Sequence, residues 1–258
     1  MPIFSFIPGF SPTASWYREN PVLSCFLSQV NSMNSAPVDP PDLELFQRIG
    51  HLGVIAVLII DDSRDAVPLA LALSEGGVGA IELTLRTDAA IESVQKIRDE
   101  VPQMTVGVGT ILRPEQVERV IEAGGHFGVA PGFNPRTVRA ARDAGLPFAP
   151  GVCTPSDVEL ALEAGCTRLK FFPCEPCGGL PYLRSLAAPF AHLGVRFIPL
   201  GGVDASNAET YLMEPLILAI GGSWLAPREI VREKAWDEVT RRSKVAIEAV
   251  SRARTSDR

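Results

Sequence analysis

Residues Gly53–Arg86 read GVIAVLIIDDSRDAVPLALALSEGGVGAIELTLR, and the rest of the chain repeats this pattern. An apolar, β-branched run, Val54–Ile60, gives way to an amphipathic segment, Arg64–Gly76, that closes on glycines. A second apolar run, Gly79–Leu85, follows at once. Short apolar runs alternating with helical periodicity point to parallel strands joined by crossover helices.

Reading outward, Asp88–Glu100 is predicted as a helix with Asp88 as its N-cap. Further strand and helix pairs are predicted at Met104–Gly109 with Pro114–Ala123, Phe127–Ala130 with Pro135–Ala144, and Pro147–Pro150 with Pro155–Ala164. Arg168–Phe172 then precedes a helix within Leu180–His192, and Val195–Leu200 precedes Ala205–Leu212. Leu216–Ile220 precedes a terminal helix around Pro227–Ala253. Eight such units without a hairpin signal predict an α/β fold, a single (β/α)8 TIM barrel over residues 41–254. An extra N-terminal helix is expected near Asp42–Gly50. An open doubly wound sheet is the alternative, but no Gly-x-Gly-x-x-Gly follows the first strand.

The bulk properties narrow the function. The net charge of −6 argues against a general nucleic-acid binder, so an anionic ligand must be held by local groups. The 5 cysteines are odd in number and scattered, as expected of a cytoplasmic protein rather than a disulfide framework. No apolar stretch reaches the roughly 18 residues of a membrane span. Residues 1–40 carry several prolines and serines and no basic start before an apolar core, and read as a disordered extension. A docked arm using Phe4, Phe6, Phe10 and Trp16 is the other reading.

One lysine stands apart. Lys170 lies in the apolar run Leu169-Lys170-Phe171-Phe172-Pro173, whereas Lys96, Lys234 and Lys244 lie in polar helical stretches. Desolvation penalises a charged amine there and favours a neutral one, able to attack a carbonyl and form a Schiff base. A lysine that snorkels outward or pairs with a carboxylate is the plainer reading. In Ile81-Glu82-Leu83-Thr84-Leu85-Arg86, side chains alternate, so Glu82, Thr84 and Arg86 share the face opposite the apolar residues. A carboxylate inside a barrel is paired or functional. Glu82 is thus a candidate acid–base group beside Lys170, or its ion-pair partner. Arg168 is expected lower in the strand, in a structural ion pair.

Thr110 ends the third strand, and Ala130-Pro131-Gly132 forms a rim beside it. Strands seven and eight end in Gly201-Gly202 and Gly221-Gly222-Ser223, where exposed backbone N–H groups, with helix N-termini beneath, suit a phosphate.

Glu82-Leu-Thr-Leu-Arg86-Thr, Gly107-Val-Gly-Thr110, Lys170-Phe-Phe-Pro173, Pro199-Leu-Gly201-Gly202 and Gly221-Gly-Ser223-Trp-Leu occur in that order. Together they resemble the 2-keto-3-deoxy-6-phosphogluconate aldolase family, whose members often also cleave 4-hydroxy-2-oxoglutarate. The resemblance spans about residues 42 to 227. It implies a class I lyase of carbohydrate metabolism, in the Entner–Doudoroff pathway, in which Lys170 forms a Schiff base with a C2 ketone and Glu82 shuttles protons. It implies that Arg86 and Thr110 hold the substrate carboxylate, and that Pro131 and Phe172 line the pocket. Gly201, Gly202, Gly222 and Ser223 would seat the phosphate. It further implies a homotrimer acting on a phosphorylated keto acid without metal or other cofactor, and with no nucleic-acid or membrane partner. His51, His126 and His192 are scattered without ligand spacing.

Two features depart from the family pattern. Leu200 stands where many members have threonine, which keeps the galactonate epimer open as a substrate. Cys174-Glu-Pro-Cys177 follows the lysine motif, and its cysteines read as ordinary loop residues. A phosphate-binding barrel isomerase or epimerase without covalent chemistry, and a non-catalytic relative, are the competing functions.

Overall fold

A computed structural model describes residues 43–255, so the predicted extension over residues 1–40 lies outside the described residues. The chain from residue 43 opens with α1 (Leu43–Leu52) and β1 (Val54–Leu58). It continues through α2 (Ala66–Glu75), β2 (Ala80–Thr84), α3 (Ala90–Glu100), β3 (Thr105–Gly109), α4 (Glu115–Glu122), β4 (Phe127–Val129) and α5 (Pro135–Asp143). Two short strands follow, β5 (Phe148–Ala149) and β6 (Gly151–Val152), then α6 (Pro155–Glu163), β7 (Arg168–Phe171), α7 (Gly179–Ala187) and β8 (Arg196–Pro199). The rest is α8 (Ala208–Leu212), β9 (Ile220–Gly222), α9 (Arg228–Arg232) and α10 (Trp236–Thr255).

This is an α/β fold of parallel strands. Among the described residues, β5-β4-β3-β2-β1-β9 form a six-stranded sheet, curled as a half-barrel, and β6-β7-β8 form a three-stranded one. Pro150 divides them, because it has no N–H to give to a ladder. Its carbonyl still accepts from Lys170 N at 2.9 Å. On the other side, Phe197 of β8 bridges to Ile217, and Ile220 N donates to Gly53 O at 2.9 Å. The apolar run predicted as the strand Leu216–Ile220 is therefore shared. Its first residues pair with β8, and the regular strand starts only at Ile220, against β1.

Side-chain alternation sorts the strands into two faces. Val54, Ala56 and Leu58 of β1, Ile81 and Leu83 of β2, and Leu169 and Phe171 of β7 join the core under the helices. Ile55, Ala80, Phe127 and Ile198 point the other way, into a second cluster. There α1 contributes Phe46 and Ile49, with the Phe46 and Phe127 rings 6.4 Å apart. Glu82 and Lys170 belong to this inner face by register, since they flank outward-facing neighbours.

Several helix ends differ from expectation. Helix α3 starts at Ala90 with Ala89 as its N-cap, so Asp88 does not cap it. Helix α6 has a full capping box between Thr154 and Asp157. The terminal helix is broken into α9 and α10, because Lys234 adopts a left-handed φ of 55° that no continuous helix accommodates. The helix expected from Ala205 begins at Ala208, after a turn in which Asp204 accepts from Ser206 N.

Candidate active site

Glu82 is the third residue of β2 and Lys170 the third of β7, and both side chains enter the inner face. Lys170 Nζ donates to Glu82 Oε1 at 3.0 Å and lies 3.4 Å from Oε2. Glu82 is 2% exposed and Lys170 5%, so the pair is a buried one. The snorkelling reading is thereby removed. The carboxylate is the lysine's ion-pair partner and lies within reach of its proton. The Phe172 ring lies 5.5 Å from Nζ, a cation–π contact.

Strand β3 makes the room for this pair. Glu82 is in register with Gly107, and Thr84 with Gly109. A Cβ at Gly109 would fall on the Glu82 carboxylate, and one at Gly107 would fall inside the Phe127 ring. Thr110, just beyond, has a left-handed φ of 61°, a conformation that costs a non-glycine residue about 1 kcal/mol or more. It is half-buried at the mouth of the site.

Arg86 lies past the end of β2, in a turn, and is exposed; its guanidinium has no hydrogen bond or ion pair among the described residues. Thr84, on the same face, is buried and donates to Leu58 O at 3.1 Å, a structural use. Pro131 is half-buried, and its carbonyl group packs against Gly151, where a Cβ would collide with it.

The two glycine loops are neighbours. A Cβ on Gly221 would come within 2.7 Å of Leu200 Cγ, and one on Gly222 within 3.1 Å of Val203 O. Gly201 and Gly202 have left-handed φ values of 93° and 89°. Gly201, Gly202 and Ser223 give their N–H groups to no backbone carbonyl among the described residues. The helix N-termini expected beneath these loops are weak contributors, since α8 and α9 are 5 residues each and begin several residues later. Asp61, in the loop after β1, binds Arg228 and Arg232 of α9, and both arginines hold its carboxyl well below the usual range.

One sequence expectation is corrected. Arg168 forms no ion pair among the described residues; it donates to Thr167 O and Gly194 O, and burial and then Arg196 lower its pKa. Cys174 and Cys177 do not pair with each other. Cys174 is buried and donates to the Tyr211 hydroxyl at 3.0 Å, whereas Cys177 accepts from the thiol of Cys153, also at 3.0 Å. Cys153 follows β6 and is held from several sides. Its N–H donates to Asp157, and its carbonyl accepts from the Tyr182 hydroxyl at 2.8 Å. The Tyr182 ring stacks on Phe171, the neighbour of Lys170, at 6.1 Å. Nothing local in the sequence joins Cys153, Cys177 and Tyr182; only strand order does. Among the described residues no group of three His, Cys, Asp or Glu side chains is placed to hold a metal.

The family model "Aldolase: KDPG and KHG aldolase" matches residues 46–242. The KHG/KDPG aldolase of Escherichia coli K12 is 39% identical over 195 residues, 76% of this chain and 91% of that protein. The KDPG aldolase of Legionella pneumophila, solved with pyruvate captured as a covalent carbinolamine, is 33% identical, with a TM-score of 0.74 over 78% of this chain and 97% of that one. The 2-keto-3-deoxy-6-phosphogluconate aldolase of Zymomonas mobilis ZM4, solved with 3-phosphoglycerate, is 39% identical, with a TM-score of 0.72 over 80% and 95%.

Proposed function

The chain belongs to the KDPG and KHG aldolase family, and from that premise we propose that it cleaves 2-keto-3-deoxy-6-phosphogluconate to pyruvate and glyceraldehyde 3-phosphate through a Schiff base on Lys170. It is a class I aldolase, a lyase. The observation that carries the residue assignment is the buried contact of Lys170 Nζ with the Glu82 carboxylate.

The chemistry follows from that contact. Lys170 passes a proton to Glu82, and the freed amine attacks the C2 ketone to give a carbinolamine. Glu82 returns the proton to the departing hydroxyl, which leaves as water. The resulting iminium is an electron sink: Glu82, now a carboxylate, takes the C4 hydroxyl proton, C4 leaves as the aldehyde of glyceraldehyde 3-phosphate, and the C3–C4 electron pair becomes the C2–C3 double bond of an enamine. Glu82 then returns that proton to C3, and hydrolysis of the iminium releases pyruvate and frees Lys170. Glu82, buried and paired with Lys170, is the acid–base group in reach of both steps. 4-Hydroxy-2-oxoglutarate would yield pyruvate and glyoxylate by the same route.

Arg86 and Thr110, at the ends of β2 and β3, hold the substrate carboxylate in this reading, and Pro131 and Phe172 wall the pocket. The free N–H groups of Gly201, Gly202 and Ser223, with Gly222 between the loops, seat the phosphate; their lack of backbone partners supports this. The family also leads us to a cytoplasmic homotrimer. No described helix is long and apolar enough to cross a membrane.

The strands of residues 41–254 form one closed (β/α)8 barrel in this reading. The bonds from Lys170 N to Pro150 O and from Phe197 N to Leu216 O, at 2.9 Å each, support closure on both sides of β7–β8. Leu200 favours a second substrate. It is 5% exposed and lies against Gly221, so no hydroxyl at that point reads C4, and the galactonate epimer is accommodated.

Borohydride reduction in the presence of pyruvate, followed by peptide mapping, tests the mechanism. A stable adduct on Lys170 is expected. A folded chain without one would replace the aldolase by non-covalent isomerase or epimerase chemistry.

A further inference from the structure

Cys153 and Cys177 are 24 residues apart and meet beyond the ends of adjacent strands, Cys153 directly after β6 and Cys177 in the loop after β7, Sγ to Sγ 3.0 Å. Both are half-buried, so a small reagent reaches them. Each directly precedes the N-cap of a nine-residue helix, Thr154 of α6 and Gly178 of α7.

The loop that carries Cys177 adjoins the site at its start and its middle. It starts at Phe172, whose ring faces Lys170 Nζ. In its middle, Cys174 N donates to Leu200 O at 2.7 Å and Glu175 N to Gly201 O at 2.9 Å. Cys177 N closes the loop onto Cys174 O at 3.2 Å. Cys153, by contrast, is anchored to α6 through Asp157 and to α7 through Tyr182. Bond formation draws the two sulfurs closer than their thiol contact. The Cys177 loop, whose backbone binds Leu200 and Gly201 and which starts at Phe172, moves with its sulfur.

We infer that Cys153 and Cys177 form a reversible thiol–disulfide site, oxidised by a small-molecule disulfide of the glutathione type, whose state sets the shape of the pocket rim beside Lys170. The Cys177 thiolate attacks one sulfur of the oxidant and releases one glutathione thiolate, which takes up the proton Cys177 lost. Cys153 then attacks Cys177 in the mixed disulfide, and the second glutathione leaves with the proton of Cys153. Two protein thiols are oxidised and one external disulfide is reduced, with no net proton change. Burial, and then the hydrogen bond to Cys177, push the Cys153 thiol up to about 11, which places it second in this order.

The influence on the rim builds on Lys170 as the nucleophile, whereas bond formation is independent of it. The full chain is incubated with oxidised glutathione, then digested without reduction. A mass loss of about 2 Da, a cross-linked peptide joining Cys153 to Cys177, and reversal by dithiothreitol are expected. Pyruvate trapping on Lys170 should be several-fold slower in the oxidised chain, and unaffected by the oxidant in Cys153→Ser and Cys177→Ser. Absence of that cross-link, or a cross-link that leaves trapping unchanged, overturns the proposal. A reduced chain that traps no pyruvate counts against the aldolase mechanism instead, because the cross-link is read separately.

Discussion

Lys170 Nζ and Glu82 Oε1 stand 3.0 Å apart, on strands that do not neighbour each other in either sheet, with both side chains buried. Removing one partner leaves the other's charge without compensation in a low-dielectric site. Lys170→Met should therefore abolish pyruvate trapping and also destabilise the fold by about 3 kcal/mol. Adding Glu82→Gln to Lys170→Met should restore much of that stability and none of the activity. Urea denaturation of the two single variants and the double variant separates the effects.

Gly109→Ala places a methyl group where the Glu82 carboxylate now lies. Displacing an acid–base group by about 1 Å costs on the order of 100-fold in rate. The expected result is a fall of that size in kcat, read by pyruvate release, in a chain whose circular dichroism is unchanged.

Gly202→Ala forces a Cβ onto a backbone with φ of 89°, and within 2.5 Å of Glu175 Cβ. If the loop seats the phosphate, KM for 2-keto-3-deoxy-6-phosphogluconate rises about tenfold or more, a change of about 1.4 kcal/mol in binding. Cleavage of 4-hydroxy-2-oxoglutarate, which has no phosphate, should change far less. Equal losses for both substrates would move the phosphate elsewhere.

Leu200→Thr restores a hydroxyl beside Gly221. A polar contact to substrate is worth about 1–3 kcal/mol of discrimination. The ratio of kcat/KM for the gluconate over the galactonate epimer should rise about tenfold, which competition between the two measures directly.

His126 supplies a pH dependence outside the site. Its Nδ1 accepts from Val106 N at 2.9 Å, and burial, then Arg98 and Arg48, lower its pKa below the ordinary 6.5. Because the folded value is the lower one, the unfolded chain binds the proton first as pH falls. The stability that His126 contributes is whole above about pH 6.5 and is lost progressively below it. In His126→Gln, denaturation midpoints measured between pH 7.5 and about 5 should lose that part of the slope.

What the sequence conveyed was periodic or local. Alternation at Ile81–Thr84 placed Glu82 inward because a strand has no other choice, and Lys170 followed from the same rule at Arg168–Phe171. Contacts between distant strands were harder. Nothing near Cys177 indicates Cys153, since their meeting depends on β6 lying beside β7. Boundaries slipped where a backbone group, not a pattern, decides. Lys234 breaks a helix whose periodicity continues, and Ile217 pairs with β8 before the same apolar run reaches β1. The helices beneath the glycine loops are shorter than their periodicity indicates: α8 and α9 have 5 residues each and start several residues after the glycines.

The bare inward positions of β3 bear on redesign of the enzyme. Gly107 and Gly109 act as a mould, ceding their space to Phe127 and Glu82 from the strands on either side. Any side chain grafted there would evict an existing one rather than add a contact. A library meant to widen acceptance of larger aldehydes must leave these two codons fixed. If the proposed pocket is right, diversity belongs at Leu200, Pro131 and Phe172, its expected walls, rather than at the buried Lys170–Glu82 pair.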